Sequence, residues 1–381
     1  MERIYLDHAA TTPMHPRVIR AMAAAMEEQF GNPSSIHAFG RKARQILDES
    51  RQILADSIGA LPGEIIFTSG GTEADNLAIL GYAQANKERG SHIISTVTEH
   101  HAVLNSVKEL ERRGFKVSLL PVDEEGRVSL DDLRAALTEE TILASIMYGN
   151  NEAGTIQPIR EIGELLSSHP AAFHTDAVQA YGIEKLDVED LKVDLMSVSA
   201  HKINGPKGLG FLYARNGIKL APRSFGGEQE WKRRSGTENI PAIAGFGEAV
   251  QIAQEEMAGR RELYRLYKDI FIKTLKEQEV PFDINGSLEY GLPHVLNISF
   301  PGTNVEAMLV NLDLAGVAVS SGSACTAGSI EPSHVLTAMF GKESERAKNS
   351  IRFSFGLGID EKQIRKAAEH TSRAAKRLAG R

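Results

Sequence analysis

A single cysteine, Cys325, stands in 381 residues, so no disulfide can form within the chain. That sparing use fits a reducing compartment. Tryptophan also occurs once, and no stretch reaches the roughly 18 consecutive apolar residues of a membrane span. There is no excess of basic charge: 43 Lys and Arg face 50 Asp and Glu, a net charge of -7. That balance excludes capture of nucleic acid by the overall field, so neither a direct nucleic-acid partner nor a membrane partner is expected. The opening residues, Met1 to His8, lack the basic start and apolar run of a secretion signal, which makes the cytoplasm the expected location. HExxH, Walker A and GxGxxG patterns are absent, as are internal repeats, and no metal is expected.

What is present is an alternation. Short apolar runs at Glu64–Thr68, His92–Val97, Lys116–Leu120, Thr141–Met147, Ala172–Thr175, Asp194–Ser199 and Gly208–Tyr213 read as strands. Helical patterns at Glu73–Ala85, Ala102–Arg112, Leu130–Leu137 and Ile159–Ser167 lie between them. Strands alternating with helices predict an α/β fold, with a mainly parallel seven-stranded sheet covered on both faces. A long charged helix at Glu248–Glu279 then leads to a smaller α+β domain with strands at His294–Phe300 and Ser350–Phe355. The expected division is residues 14–260 for the large domain, and 1–13 with 261–381 for the small one. A basic amphipathic helix after Asp360 reads as a solvated face.

Five motifs follow strand candidates, and the carboxyl ends of strands are where chemistry collects in such sheets. Ser199-Ala200-His201-Lys202 precedes a glycine-rich turn. A partly buried lysine there has a lowered pKa and can form a Schiff base, although a lone lysine in a turn is more often a surface residue. Lys207, deeper in the turn, is the competing choice. Asp176, with Gln179 three residues on, either caps a turn or accepts a hydrogen bond from a protonated pyridine nitrogen. Ser69-Gly70-Gly71-Thr72-Glu73 is either a capped helix start or a phosphate cradle. In Thr98-Glu99-His100-His101, neighbouring histidines on an extended chain face opposite ways, so they do not share a metal. One of them can stack on a planar ring and move protons. Cys325 lies in the small-residue loop Ser320-Ser321-Gly322-Ser323-Ala324-Cys325. A thiol in a mobile, exposed loop is a liability unless it is used.

In this order the motifs resemble the cysteine desulfurases of the NifS/IscS type, class V aminotransferases of the fold-type I pyridoxal-phosphate group. The resemblance runs from Tyr5-Leu6-Asp7-His8-Ala9-Ala10-Thr11-Thr12 to Ile351-Arg352-Phe353-Ser354 and includes Asn150-Asn151-Glu152 and Arg234-Ser235-Gly236-Thr237. It implies pyridoxal 5'-phosphate as cofactor. Lys202 would be its Schiff-base lysine, Asp176 the partner of its ring nitrogen and Gln179 that of its hydroxyl. His100 would stack on the ring. Gly71, Thr72, Ser199 and His201 would hold the phosphate, and Thr237 would reach the phosphate of the neighbouring subunit in a homodimer. Asn151 and Arg352 would hold the substrate carboxylate.

The implied activity is removal of sulfur from L-cysteine, giving L-alanine and a persulfide on Cys325. Lys202 would move the α proton and His100 would accept the thiol proton. An iron–sulfur scaffold or a tRNA-thiolation enzyme would be the protein acceptor. Two alternatives stay open: another class V enzyme, such as a β-lyase or aminotransferase, which needs no loop cysteine, and a non-catalytic sulfur-transfer scaffold.

Overall fold

A computed structural model describes residues 3–321 and 332–380. Its main sheet has seven strands: β1 Ile65–Thr68, β2 His92–Thr96, β3 Lys116–Leu120, β4 Thr141–Ser145, β5 Ala172–Asp176, β6 Leu195–Ser199 and β7 Gly210–Ala214. They lie in the order β1-β7-β6-β5-β4-β2-β3. Strands β6, β5, β4, β2 and β3 are mutually parallel. Strand β7 runs antiparallel to both β6 and β1. It alone is reversed, so the carboxyl ends of the other six open on one edge. Every residue of β1, β2, β4, β5, β6 and β7 is buried. Helices on both faces require that, and it is why these segments read as unbroken apolar runs. Edge strand β3 is only partly buried and mixes Lys116 and Ser118 with its apolar residues.

The expected helix after β1 begins at Gly71 and continues through a π-helical segment, Leu77–Gly81, to Ala85. The long helix spans Ile240–Glu277, eight residues earlier than its charged pattern suggested. Asn239 caps it and Pro241 sits in its first turn, where a missing N–H costs nothing. Its first half packs Ile240, Phe246 and Ala253 into the main core. Its second half packs Tyr264, Phe271 and Leu275 into a separate core with Ile4, Leu6, Ile298, Phe353 and Ile364.

That second core backs a three-stranded antiparallel sheet of β8 Asp283–Asn285, β9 Val295–Ser299 and β10 Ser350–Ser354, with β9 in the middle. The amino-terminal strand Ile4–Tyr5 pairs in parallel with Val317–Ala318. From there residues 7–12 cross to the carboxyl edge of the main sheet, where Thr12 donates to His201 O at 2.8 Å. Among the described residues, no helix is long and apolar enough to cross a membrane.

Candidate active site

A cavity of about 320 Å³ opens at the carboxyl edge, between the main sheet and the amino-terminal crossing. Each wall comes from a strand end. After β1, Gly71 and Thr72 open the helical stretch; after β2 comes His100; β5 ends at Asp176, with Gln179 in the following turn; β6 supplies Ser199, and His201 and Lys202 follow. Asn151 and Arg352 complete the lining. A Cβ on Gly71 would sit 2.7 Å from Val178 Cγ2, so only glycine allows this approach of helix start and β5 turn. Glu73 Oε2 accepts from Ser69 N at 2.7 Å and fixes the turn.

Lys202 ends a short 3₁₀ turn after β6 and points its Nζ at Ala9 O, 2.5 Å, and Ala10 O, 2.8 Å. Lys207 is exposed, so the two lysines are separated by environment. Asp176 is buried and accepts from Val178 N at 2.9 Å, so it both caps its turn and lines the pocket. Burial raises its pKa, and the Val178 N–H and the Lys202 charge oppose that rise. Gln179 donates to Ala9 O at 2.9 Å, and His294 Nε2 lies 3.4 Å from its Oε1.

His100 is the N-cap of helix His101–Arg112, and its Nδ1 accepts from Ala102 N at 3.1 Å. Burial pushes its pKa down to about 4, helped by the charge of Lys202. A neutral ring whose Nδ1 accepts must carry its proton on Nε2. His101 opens the helix instead of continuing an extended chain, and its ring packs tilted against that of His334 with centroids 4.7 Å apart. His201 Nδ1 lies 3.1 Å from Thr11 Oγ1, and burial lowers its pKa to about 4.

Arg352, on β10, reaches across from the second core. Its Nη1 donates to Asn151 O at 2.9 Å and its Nη2 to Asp7 Oδ1 at 2.8 Å. Its buried Nε has no partner among the described residues. The Arg352 backbone also pairs with Ser320, through bonds of 3.3 and 2.7 Å. From residue 332 the chain is again described: Ser333 donates to Glu152 Oε2 at 2.5 Å, and His334 Nε2 lies 2.9 Å from Glu99 O. Cys325 itself lies outside the described residues. Thr237 is exposed and does not line this pocket.

Three acidic side chains at the site received no role from the sequence. Asp7 neutralises Arg352. Asp75 lines the pocket and is buried; its Oδ1 has no hydrogen bond among the described residues and lies 3.7 Å from His174 Nε2. Burial, then the Asp176 charge, raises its pKa. Glu99 is buried behind His100 and accepts from Thr96 Oγ1 and Met147 N at 2.8 and 3.0 Å. Burial pushes its pKa up to about 8. Asp75 was within reach of sequence reasoning, since it lies four residues after Gly71 and hence on the same helix face.

The class V aminotransferase family model matches residues 4–366. The putative cysteine desulfurase IscS 1 of Bacillus subtilis is 59% identical over 99% of this chain and 100% of its own length. The cysteine desulfurase IscS of Dictyoglomus turgidum is 49% identical over 93% of this chain and 90% of its own. Among solved structures, a NifS-like protein superposes with a TM-score of 0.91 at 35% identity, covering 97% of this chain and 98% of that one. The pocket at the carboxyl edge, the fold around it and these likenesses agree: the chain belongs to the class V aminotransferase family, among its cysteine desulfurases.

Proposed function

We propose that this chain is a pyridoxal-phosphate-dependent cysteine desulfurase, which takes sulfur from L-cysteine, releases L-alanine and holds the sulfur as a persulfide on Cys325. The observation that carries the reading is the convergence of Lys202, Asp176 and Arg352 on one pocket, with the Arg352 backbone anchoring the start of the cysteine segment. Quantifying alanine against protein persulfide, from L-cysteine and the purified chain, tests it.

The residues fit the cofactor. Asp176 offers a buried carboxylate to a protonated ring nitrogen, whose charge would reverse the upward push of burial on its pKa. Glycine at 71 keeps a backbone cradle open beside Ser199 and His201. Asp75 adds a second carboxyl to the lining. Bound there, pyridoxal phosphate supplies an electron sink and a covalent handle for the substrate amine.

The protein's own groups do the rest. Arg352, whose side chain lines the pocket, would hold the substrate carboxylate, and Asn151 supports it. Lys202, steered by Ala9 O and Ala10 O, takes the proton from Cα. Cys325 thiolate attacks the substrate sulfur; the S–S bond forms as the Cβ–S bond breaks. L-cysteine and a protein thiol become L-alanine and a protein persulfide, with no outside oxidant or reductant. The resting tautomer of His100 carries its proton on Nε2 while Nδ1 accepts from Ala102 N. To take the thiol proton, the role proposed for it, the ring must first exchange that tautomer and free an acceptor nitrogen.

Cys325 lies five positions after Ser320, and an extended chain covers about 3.3–3.6 Å per residue. Its Cα thus lies at most roughly 17 Å from that of Ser320. An iron–sulfur scaffold or a tRNA-thiolation enzyme is the proposed acceptor, and the cytoplasm the proposed location.

A homodimer is proposed on two grounds. Thr237 is exposed and outside its own pocket, and Phe30, Ile36 and Phe225 are 75%, 91% and 85% exposed, apolar side chains that a second copy would cover. Two cores sharing one helix support a division near residue 260, with residues 1–13 joining the smaller part.

A further inference from the structure

Glu230, Trp231 and Lys232 have φ angles of 47°, 53° and 65°. Three consecutive non-glycine residues in left-handed backbone are strained, and such strain persists only where the surroundings over-determine it. The surroundings here are specific. Arg51, from the helix Ala38–Asp56, donates from Nη1 and Nη2 to the two Glu230 carboxylate oxygens at 2.8 and 2.6 Å. Both side chains are buried. The guanidinium lies between the rings of Phe67 and Trp231, 4.7 and 4.6 Å from their centroids. Arg51 Nη1 also donates to Ile65 O at 2.5 Å, and Glu230 Oε2 accepts from Phe67 N at 2.9 Å. The left-handed turn is thereby stitched to β1, the strand that leads into Ser69–Glu73. A second stitch follows at once: Arg234 Nε donates to Glu73 Oε1 at 2.8 Å. Beyond it Ser235 Oγ donates to Ser224 O at 3.0 Å and Gly236 N to Gln229 Oε1 at 3.1 Å, Gly236 takes φ 112°, and Thr237 is exposed.

We infer that Arg51, Glu230 and Trp231 are positioning residues, a clamp that holds Arg234–Thr237 at the height from which Thr237 meets the cofactor phosphate in the neighbouring subunit. The inference rests on the proposed dimer and on the proposed role of Thr237. A buried bidentate pair suits the task because its fork fixes direction as well as distance. A clamp that served only the stability of its own subunit would need no strained turn leading straight to an exposed hydroxyl.

The test titrates full-length, cofactor-stripped dimer with pyridoxal phosphate and, separately, with pyridoxal, which lacks the phosphate. Thr237→Ala is expected to raise the Kd for pyridoxal phosphate about tenfold, the worth of one charge-assisted hydrogen bond, and to leave pyridoxal unchanged. Glu230→Gln and Trp231→Gly are expected to give the same phosphate-specific rise. The double variant Glu230→Gln/Thr237→Ala should be no weaker than Thr237→Ala alone. Equal weakening of both ligands, no weakening of either, or additive losses in the double variant would each overturn the clamp while leaving the role of Thr237 standing. An unchanged Kd for Thr237→Ala would remove the role of Thr237, and the inference with it. Trp231 is 49% exposed, so Trp231→Gly keeps the test open should Glu230→Gln fail to fold.

Discussion

Replacing Arg352 by lysine separates its substrate role from its structural one. The guanidinium makes two structural bonds, to Asn151 O and Asp7 Oδ1, and the side chain lines the pocket, where the substrate carboxylate would be its third partner. A lysine ammonium reaches one or two of these positions but cannot present a planar fork to all three. The backbone pairing of residue 352 with Ser320 does not depend on the side chain, so the anchor of the cysteine segment survives. Hydrogen bonds to charged groups are worth roughly 1.5–3 kcal/mol. Loss of the bond to the substrate carboxylate therefore lowers kcat/KM for L-cysteine by between about tenfold and somewhat over a hundredfold. The assay compares L-cysteine with cysteamine, the same amino thiol without the carboxylate. Arg352→Lys should lose most of its rate on cysteine and little of its rate on cysteamine, with alanine and the decarboxylated amine counted separately. Equal losses on both substrates would refute the reasoning, because a carboxylate-binding group cannot act on a substrate that has none.

Lys202→Ala should abolish both turnover and borohydride fixation of the cofactor to the protein; fixation moving to Lys207 would show that the wrong lysine is assigned. Cys325→Ser should keep cofactor binding and the spectral response to L-cysteine while alanine production collapses; alanine at the parent rate would make the chain a lyase that expels sulfide. Burial depresses the pKa values of His8, His100 and His201 to about 4 and those of His174 and His294 to about 3, below their ordinary value of 6.5. The unfolded chain then binds more protons between about pH 4 and 6.5, so stability is present above 6.5 and falls on acidification by up to about 1.4 kcal/mol per pH unit for each such group. Glu99, raised to about 8, works in the opposite sense as pH climbs toward 8. The melting temperature should peak near neutrality and drop steeply toward pH 4.5; a flat profile there would contradict the burial of these histidines. Sedimentation at micromolar concentration should return a dimer, and a yellow monomer would remove the shared site.

Much of this site was legible because its residues sit at strand ends. Local chemistry announced Gly71, Asp176 and Lys202: an apolar run stops and a small, polar or ionisable residue follows. The closing of the site was not local. Arg352 meets Asp7 across 345 positions and Arg51 meets Glu230 across 179, and no period or spacing links such pairs. The grip on Lys202 was invisible for another reason, since Ala9 and Ala10 act through backbone carbonyls that leave no mark in residue type. The histidine pair misled slightly. An extended reading put His100 and His101 on opposite faces, whereas His100 caps a helix that His101 begins, and the cap decides which ring nitrogen carries the proton.

The pairing of Ser320 with Arg352, and of Ser333 and His334 with Glu152 and Glu99, fixes the two points between which the cysteine segment must run. Loop-closure entropy rises slowly with length, by about 0.6 kcal/mol per doubling, so insertions between these anchors should cost little stability. A series of such insertions should therefore change sulfur capture while leaving the cofactor pocket intact.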